Sequence, residues 1–216
     1  QDHKRVLEGD KGKNTGGMGA YSPSRMINVK LEEKILKKII EPTINGLKET
    51  GINYKGFLYA GLMIKNNEPY LIEYNIRMGD PECQAILPRL DTDILKIINA
   101  TVENKLSKVK IKWKRKYCMT IVICSKGYPG KFKKYKLINR VDKLKLDKNS
   151  FIFHAGTKII ENKLLSNGGR VLNITATGGN FNLVRKKIIK IIKKINWKYG
   201  FYRKDIGWRA IKNENN

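Results

Sequence analysis

Residues 56–82 read GFLYAGLMIKNNEPYLIEYNIRMGDPE, and this stretch indicates the fold class more directly than any other part of the 216-residue sequence. Two runs of β-forming residues, 56–65 and 70–76, flank Asn66-Asn67-Glu68-Pro69, whose composition is typical of a turn. The stretch therefore predicts a β-hairpin. Residues 77–82, which contain glycine and proline, predict a loop directly after it.

Helices are predicted on both sides of the hairpin. Upstream, apolar residues recur at helical spacing from Val29, and we expect Pro42 to kink or end this helix and Gly51 to stop a second helical piece. Downstream, Thr92 is a suitable N-cap for another helix. We expect the buried face of that helix to consist of Leu95, Ile98, Val102 and Leu106. Residues 1–23, rich in glycine and polar side chains, predict a loop.

The second half of the chain contains its own strands and helix. Strands are predicted over residues 117–125, 151–160 and 170–177, with a turn at residues 127–130. A helix with a lysine-rich outer face is predicted from the apolar stripe Phe181, Val184, Ile188, Ile191, Ile192 and Ile195. The charge character changes near residues 108–116. We therefore predict an α+β chain with two domains, residues 1–110 and 111–216.

The net charge of +26 is unevenly distributed. Residues 1–110 carry 18 Lys/Arg and 14 Asp/Glu for a net +4, whereas residues 111–216 carry 27 and 5 for a net +22. A half this basic suggests a polyanion-binding surface. Its lysines are dispersed, however, and the joint abundance of Lys, Ile and Asn is typical of an AT-rich genome. Compositional drift and selected polyanion binding therefore both stay open.

Several classes of protein are disfavoured by composition. A hydrophobic fraction of 41% argues against disorder. No apolar run approaches the roughly 20 residues that span a bilayer, and the first residues form no signal-peptide pattern. Cys83, Cys118 and Cys124 lack the spacing of a zinc site, and we interpret them as small buried side chains in a reducing compartment, with Cys118 and Cys124 on one strand face. Because there is no initiator methionine, we expect the protein to continue upstream of Gln1.

Glu73 and Asn75 are the strongest candidate site within the hairpin. Side chains alternate along a strand, so these two point to the same side, and Ile72, Tyr74 and Ile76 are expected to point into packing on the other. A carboxylate beside an amide oxygen suits Mg²⁺ that is shared with phosphate groups. The alternative is a strand with an ordinary solvent-facing side.

Charged residues follow this pair directly. Arg77 can bind a phosphate or a carboxylate through two N–H groups, and Asp80 and Glu82 flank a proline in the next turn. Such a mixed-sign cluster is typical of a site for a charged ligand, the alternative being a salt-bridged turn. The run Asn14-Thr15-Gly16-Gly17-Met18-Gly19 is a second candidate, because consecutive glycines can present backbone N–H groups to an anion. It lacks the P-loop spacing, and an ordinary flexible loop is the alternative.

Taken together, seven strings of residues resemble, in order and spacing, the phosphoribosylamine–glycine ligase (glycinamide ribonucleotide synthetase) family of ATP-grasp enzymes. The strings are Gln1–Arg5 (QDHKR), Asn14–Pro23 (NTGGMGAYSP), Gly56–Met63 (GFLYAGLM), Glu73–Glu82 (EYNIRMGDPE), Phe153–Thr157 (FHAGT), Asn167–Val171 (NGGRV) and Arg203–Ala210 (RKDIGWRA). They extend from the first residue nearly to the last, so the resemblance covers the whole chain.

The resemblance implies an activity and a role for each candidate residue. Members of this family couple glycine to 5-phospho-D-ribosylamine with ATP, through a glycyl phosphate, and release glycinamide ribonucleotide, ADP and phosphate in purine biosynthesis. By position, Glu73 and Asn75 would bind Mg²⁺ or Mn²⁺, and Arg77 and Asp80 would act in catalysis. Substrate-binding residues would be Asn14, Thr15, Gly16, Gly17, Arg77, Asp80 and Glu82.

The resemblance also implies that the family's N-terminal portion is absent here. Residues 1–110 would be the C-terminal lobe of an ATP-grasp domain, and residues 111–216 would be the small C-terminal α/β domain. The whole enzyme would be cytoplasmic and monomeric, with no membrane and no specific nucleic acid among its partners.

Two other functions stay open at this stage. One is an ATP-grasp ligase with a different acid and amine, which the strings at residues 73–82 and 203–210 disfavour. The other is a basic polyanion-binding module. For the second we expect only weak, sequence-independent DNA binding, because no nucleic-acid motif accompanies the dispersed lysines.

Overall fold

The computed structural model describes residues 1–212 and shows the predicted α+β architecture. The strands are β1 (Arg5–Leu7), β2 (Lys11–Asn14), β3 (Gly19–Ser22), β4 (Tyr59–Lys65), β5 (Glu68–Asn75), β6 (Tyr117–Ser125), β7 (Ser150–His154), β8 (Thr157–Ile160), β9 (Lys163–Ser166), β10 (Arg170–Gly178) and β11 (Gly200–Phe201). The helices are α1 (Val29–Ile35), α2 (Glu41–Glu49), α3 (Glu82–Ile86), α4 (Ile94–Val102), α5 (Phe181–Ile195) and α6 (Trp208–Lys212). No helix within residues 1–212 is long and apolar enough to cross a bilayer.

The chain forms two compact units. The first unit contains Gln1–Pro23, Asp80–Arg89 and the chain from Lys114 onward, and the second contains Ser24–Gly79 and Leu90–Trp113. The first 23 residues thus join the second half of the chain in space, because β3 pairs along β6. This compact division differs from the division at residue 110, which stays a prediction about domains in the sequence.

Strand β6 lies inside the antiparallel sheet of the first unit and matches the predicted strand at residues 117–125. One edge of β6 pairs with β10, which in turn pairs with β7. The other edge pairs with β3 near its start and with β11 at its end. Because β6 is covered on both edges and both faces, eight of its nine residues are buried.

Helix α5 covers this sheet with the apolar stripe that the sequence predicts. Its buried residues are Phe181, Val184, Ile188, Ile191, Ile192 and Ile195. Asn180 caps the helix by accepting a hydrogen bond from the backbone N–H of Leu183 at 2.8 Å. At the other end Asn196 adopts a left-handed conformation, which stops the helix. Cys118 and Cys124 of β6 are also buried, as predicted, whereas Cys83 is only partly buried, and all three are free thiols.

The prediction of a loop over residues 1–23 is wrong, because β1, β2 and β3 lie within this range. Tertiary pairing, which glycine content does not reveal, forms these strands. Gly19 illustrates the point: a Cβ there would lie 2.7 Å from the carbonyl oxygen of Thr120, so β3 approaches β6 closely only because residue 19 has no side chain.

The second unit contains the predicted hairpin, formed by β4 and β5. Asn66 and Asn67 have φ values of 52° and 58°, as the two central residues of a type I′ turn require. Glu68 and Pro69 therefore belong to the returning strand rather than to the turn. Tyr74 of β5 donates a hydrogen bond to the carbonyl oxygen of Ile39, which ties the hairpin to the helical segment.

The helices of the second unit differ from the prediction in detail. A π-helical turn, Leu36–Ile40, joins α1 to α2, and Pro42 lies in the first turn of α2, where its missing N–H is tolerated. The N-cap of α4 is Asp93, whose carboxylate accepts from the N–H of Leu95 at 2.8 Å. Thr92, the predicted cap, instead accepts a hydrogen bond from the backbone N–H of Lys112.

Apolar residues of the second unit that were predicted to be buried are instead exposed. Ile72 and Ile76 of β5 are 63% and 79% exposed, and Leu95 and Val102 of α4 are 63% and 62% exposed. Ile98 and Leu106 are also exposed. The apolar residues recur at the predicted spacing, but within residues 1–212 these side chains are left uncovered.

A buried ionic network joins the two ends of the first unit. The guanidinium of Arg203 is 1% exposed and donates to Asp10 at 2.9 Å and to both carboxylate oxygens of Asp205 at 2.8 and 2.7 Å. Burial alone would raise the pKa of Asp10, but hydrogen bonds from Arg203 and His3 outweigh that effect and lower the pKa to about 2. Asp10 is therefore a carboxylate at neutral pH.

His3 completes the network in its neutral form. Burial lowers the pKa of His3, which its hydrogen bond with Asp10 offsets only in part. The backbone N–H of Gly207 donates to Nε2 at 3.0 Å, so the ring hydrogen lies on Nδ1, 3.3 Å from Asp10. The backbone carbonyl of His3 accepts from Met18, so the network also fixes the end of the glycine-rich loop.

Replacing Arg203 by methionine leaves two carboxylates, whose side chains are only 21% and 19% exposed, without their shared buried cation. We expect Arg203→Met to lower the free energy of unfolding by about 3–5 kcal/mol. The control is Arg209→Met, which removes a cation that also binds Asp10 but is 46% exposed, so about 1 kcal/mol or less should be lost. Urea denaturation measures both, and equal losses would contradict the role assigned to burial.

Candidate functional site

Glu73 and Asn75 lie on the same side of β5, as the sequence predicts. The amide Nδ2 of Asn75 is 3.3 Å from Oε1 of Glu73. Opposite them on β4, Gly61 pairs with Glu73, and a Cβ at Gly61 would lie 3.1 Å from Cγ of Glu73. A glycine at this position therefore leaves room for the Glu73 side chain.

The two side chains are suitable but incomplete as a metal site. A carboxylate and an amide oxygen are the hard donors that Mg²⁺ and Mn²⁺ prefer. Within residues 1–212, however, no group of three or more His, Cys, Asp or Glu side chains could hold a metal ion. The other ligands of any bound cation must therefore be phosphate oxygens, waters or groups from outside this part of the chain.

Arg77 leaves the end of β5 with most of its hydrogen-bonding capacity available. Its guanidinium is exposed and donates to the carbonyl oxygen of the next residue, Met78, at 2.9 Å. Among the described residues, no carboxylate forms an ion pair with it. Arg77 can therefore bind an anion without first breaking a salt bridge.

In the first unit, Arg170 joins the Asn14–Gly17 loop to the turn at Asp80. Its guanidinium donates to the carbonyl oxygen of Gly16 at 2.7 Å, to the carbonyl oxygen of Asp80 at 2.5 Å and to the Asp80 carboxylate at 3.0 Å. Gln84 donates to the other carboxylate oxygen of Asp80 at 3.0 Å. The Asp80 side chain is thus fixed on both sides.

The glycines of the loop serve close packing. Gly17 has φ of +118°, and a Cβ there would lie 2.5 Å from Cδ of Pro81. A Cβ at Gly16 would lie 3.0 Å from the guanidinium carbon of Arg170. The loop can therefore lie against both the turn and the arginine only because these residues lack side chains.

The N–H groups of this loop are already bonded within the protein. Gly16 donates to the hydroxyl of Tyr128 and Gly17 to the hydroxyl of Thr15, each at 3.0 Å. The hydroxyl of Thr15 in turn donates to the carbonyl oxygen of Lys4 at 2.7 Å. The sequence suggested that these amides face an anion, whereas in the structure they hold the loop in shape. The exposed Asn14 side chain is the loop's available polar group.

The predicted site residues therefore fall into two sets. Glu73, Asn75 and Arg77 belong to the second unit, and the Asn14–Gly17 loop, Asp80 and Glu82 belong to the first. Glu82 is 7% exposed, at the start of α3. Sequence reasoning did not single out Arg170 or Tyr128. The available signal was the charged Arg170 after two glycines, at the start of an otherwise buried strand.

Family models match most of the chain. The model described as phosphoribosylglycinamide synthetase, ATP-grasp (A) domain, matches residues 1–83, and that described as phosphoribosylglycinamide synthetase, C domain, matches residues 118–209. The two matches lie on either side of the boundary predicted from the charge pattern.

Individual proteins are similar along the whole chain. A phosphoribosylamine–glycine ligase from Brucella melitensis is 44% identical over 214 residues, which is 99% of this chain and 50% of the relative. The solved phosphoribosylamine–glycine ligase of Thermotoga maritima has a TM-score of 0.78 at 34% identity, over 95% of this chain and 50% of that one. A biotin carboxylase from Campylobacter jejuni shares the fold at 13% identity, with a TM-score of 0.56 over 85% of this chain and 39% of that one. The chain thus spans about half the length of the relatives that it matches.

Removing the Arg170 guanidinium should release the Asn14–Gly17 loop. In Arg170→Met, hydrogen–deuterium exchange over residues 14–17 should become faster, and the free energy of unfolding should fall by about 1–3 kcal/mol, the cost of lost charged hydrogen bonds. Arg115→Met is the control, since Arg115 is exposed and has no hydrogen bond or ion pair within residues 1–212. Unchanged exchange in the Arg170 variant would show that the loop is held by other contacts.

Proposed function

The chain belongs to the phosphoribosylamine–glycine ligase (phosphoribosylglycinamide synthetase) family, and from this premise we propose that it is the C-terminal part of an enzyme that makes glycinamide ribonucleotide. The observation that carries the proposal is identity of 44% over 99% of the chain to a protein of that name. The reaction would couple glycine to 5-phospho-D-ribosylamine at the expense of ATP.

The reaction would proceed in two steps, a phosphoryl transfer followed by an acyl transfer. A carboxylate oxygen of glycine attacks the γ-phosphorus of ATP, giving glycyl phosphate and ADP. The amine nitrogen of phosphoribosylamine then attacks the carbonyl carbon, phosphate leaves and the nitrogen loses a proton. Both steps move charge among phosphate and carboxylate oxygens, so they require positioning and cationic groups more than a protein nucleophile.

The residues of β5 suit the first step. We assign Glu73 and Asn75 as ligands of Mg²⁺ or Mn²⁺, supported by their shared strand face and hard oxygen donors. A bound divalent cation would neutralise charge on the ATP phosphates. Arg77, exposed at the end of the strand, would hold a phosphate or the glycine carboxylate between two N–H groups.

The residues of the first unit would bind and orient the substrates. Asp80, fixed by Arg170 and Gln84, can accept a hydrogen bond from an amine, and the hydrogen bond from Arg170 would hold the carboxylate oriented for this role. Asn14 would contribute an exposed amide. Thr15, Gly16 and Gly17 would shape the loop that carries it. Glu82, which follows Asp80 by two residues and is only 7% exposed, would be the second acidic residue of the substrate-binding set.

The exposed apolar residues of the second unit support a missing lobe. Ile72, Ile76, Leu95 and Val102 are all more than half exposed. Exposed apolar side chains in such numbers mark a surface that other protein covers. We propose that the N-terminal portion, which the relatives possess, covers part of this surface and supplies the phosphate-binding lysines of an ATP-grasp.

The sequence-level organisation follows the same proposal. Residues 1–110 would derive from the ATP-grasp domain and residues 111–216 from the C-terminal domain, even though residues 1–23 pair with the latter in space. We place the whole enzyme in the cytoplasm as a monomer. The three free cysteines of this chain suit a reducing compartment.

We expect the 216-residue chain alone to release no ADP in the presence of glycine, phosphoribosylamine, ATP and Mg²⁺. Only one lobe of the nucleotide site is present, so the γ-phosphate is not positioned and water is not excluded from the acyl phosphate. Joining the N-terminal half of the Brucella melitensis relative, as a separate or fused polypeptide, should restore substrate-dependent ADP release. Turnover by the isolated chain would contradict the two-lobe argument.

In the joined protein, Glu73→Gln should lower turnover by about 100-fold or more while the protein stays folded, because a neutral amide is a poor substitute for a carboxylate ligand. Glu49→Gln is the matched control, since Glu49 is an exposed glutamate at the end of α2. Steady-state ADP release at saturating Mg²⁺ measures both variants. Wild-type turnover in Glu73→Gln would refute the ligand role but leave the family assignment intact.

A further inference from the structure

A basic cleft lies in the first unit, apart in sequence from every residue assigned above. It has a volume of about 500 Å³. Its lining consists of Lys126, Lys131, Phe132, Lys133, Lys136 and Tyr199. These residues come from the segment that follows β6 and from the turn before β11, and we call this site the lysine cleft.

The backbone around the lysine cleft is fixed by hydrogen bonds. Lys126 donates its backbone N–H to the carbonyl oxygen of Tyr199 at 2.9 Å, which joins the two segments. Lys136 and Ser166 are linked twice, from Lys136 N to Ser166 Oγ at 3.1 Å and from Ser166 N to Lys136 O at 2.9 Å. Gly127 has φ of +102°, and a Cβ there would collide with the carbonyl oxygen of Lys131. The backbone that shapes the cleft is therefore held by the protein's own hydrogen bonds and close contacts.

The positive charge of the cleft is not neutralised within the described chain. Among residues 1–212, no Asp or Glu forms an ion pair with any of its four lysines, whereas Lys34 and Lys38 elsewhere share Glu68. Residues 111–216 contain 27 Lys/Arg among 106 residues, but lysine supplies four of the six residues that line the cleft. Four lysines that line one cleft, with no carboxylate paired to them among residues 1–212, give it a positive potential that favours an anion.

Aromatic rings lie among these cations. The ammonium groups of Lys136 and Lys198 lie over the ring of Tyr199, 5.2 and 5.0 Å from its centroid, and the Tyr199 residue is 36% exposed. Phe132 packs edge-on against Tyr128, with the ring centroids 6.4 Å apart. This arrangement places cations that bind phosphate directly against an aromatic ring, and a base would stack on that ring by displacing one of the ammonium groups.

We propose that the lysine cleft binds a small polyphosphate, with its phosphates on Lys126, Lys131, Lys133 and Lys136 and any attached nucleoside base on Tyr199. The volume lies in the range of small-molecule sites, about 300–1,000 Å³. Tyr199 is the one exposed ring among the six residues that line the cleft, which disfavours a nucleic-acid strand, since a strand needs several stacking platforms along a groove. Inorganic polyphosphate and a nucleoside polyphosphate share this chemistry, and the experiment separates them.

Isothermal titration of the chain with triphosphate, ATP and inorganic phosphate tests the proposal, in EDTA and about 0.15 M salt so that metal and long-range attraction contribute little. Replacing Lys131, Lys133 and Lys136 by glutamine should weaken triphosphate binding by about tenfold or more. The control replaces Lys186, Lys190 and Lys193, three exposed lysines on the outer face of α5, and should change the affinity less than about twofold. Equal losses in the two triple variants would overturn the proposal, because binding would then follow net charge alone.

Further measurements identify the ligand and do not depend on the triple variant folding. Tyr199→Ala should weaken ATP but not triphosphate if the base stacks on the ring, and Tyr199→Phe should retain ATP binding. If ATP binds no tighter than triphosphate, the ligand is the inorganic polyphosphate. Amide NMR of the wild-type chain with triphosphate should show shifts at residues 126–136 and 199. Shifts confined to residues outside the cleft, or a single-stranded oligonucleotide that displaces both ligands at the same salt, would overturn the proposal.

Discussion

The buried guanidinium of Arg203 is the interaction on which the first unit depends. It lies between Asp10 and Asp205, almost two hundred residues apart in sequence, and donates to both carboxylates. A cation with no access to water is tolerated only where its hydrogen bonds and charge are matched. Here they are matched by residues from the two ends of the chain, so the fold closes on itself.

The part of the candidate site that lies in the first unit depends on this closure. His3, held by Asp10 and by the N–H of Gly207, accepts from Met18 through its carbonyl, and Lys4 accepts from Thr15. The glycine-rich loop is therefore attached on one side to residues 3 and 4, just before β1, and on the other side to Arg170. The loop is a shaped support for polar side chains rather than an anion-binding backbone.

The cationic side chains of the described chain fall into two groups, those paired with carboxylates and those left without an acidic partner. In the ionic network and around Asp80, each arginine meets a carboxylate within hydrogen-bonding distance. In the lysine cleft, and at Arg77, the cations have no such partner within residues 1–212. The first arrangement stabilises the fold, whereas the second leaves positive charge that a phosphate or carboxylate can neutralise.

The sequence by itself determined the family, the hairpin, the strand Tyr117–Ser125 and all six buried positions of α5. These features can be predicted because apolar periodicity and long, specific strings are patterns of residues close together in sequence. It also placed Glu73 and Asn75 together, since alternation along a strand is a local property.

Tertiary structure decided the rest. Only pairing with β6 turned residues 19–22 into a strand, and only the fold brought Arg170 to Asp80 across ninety positions. The apolar stripe of α4 was visible in the sequence, but whether it is covered depends on protein that surrounds it, which no local pattern specifies.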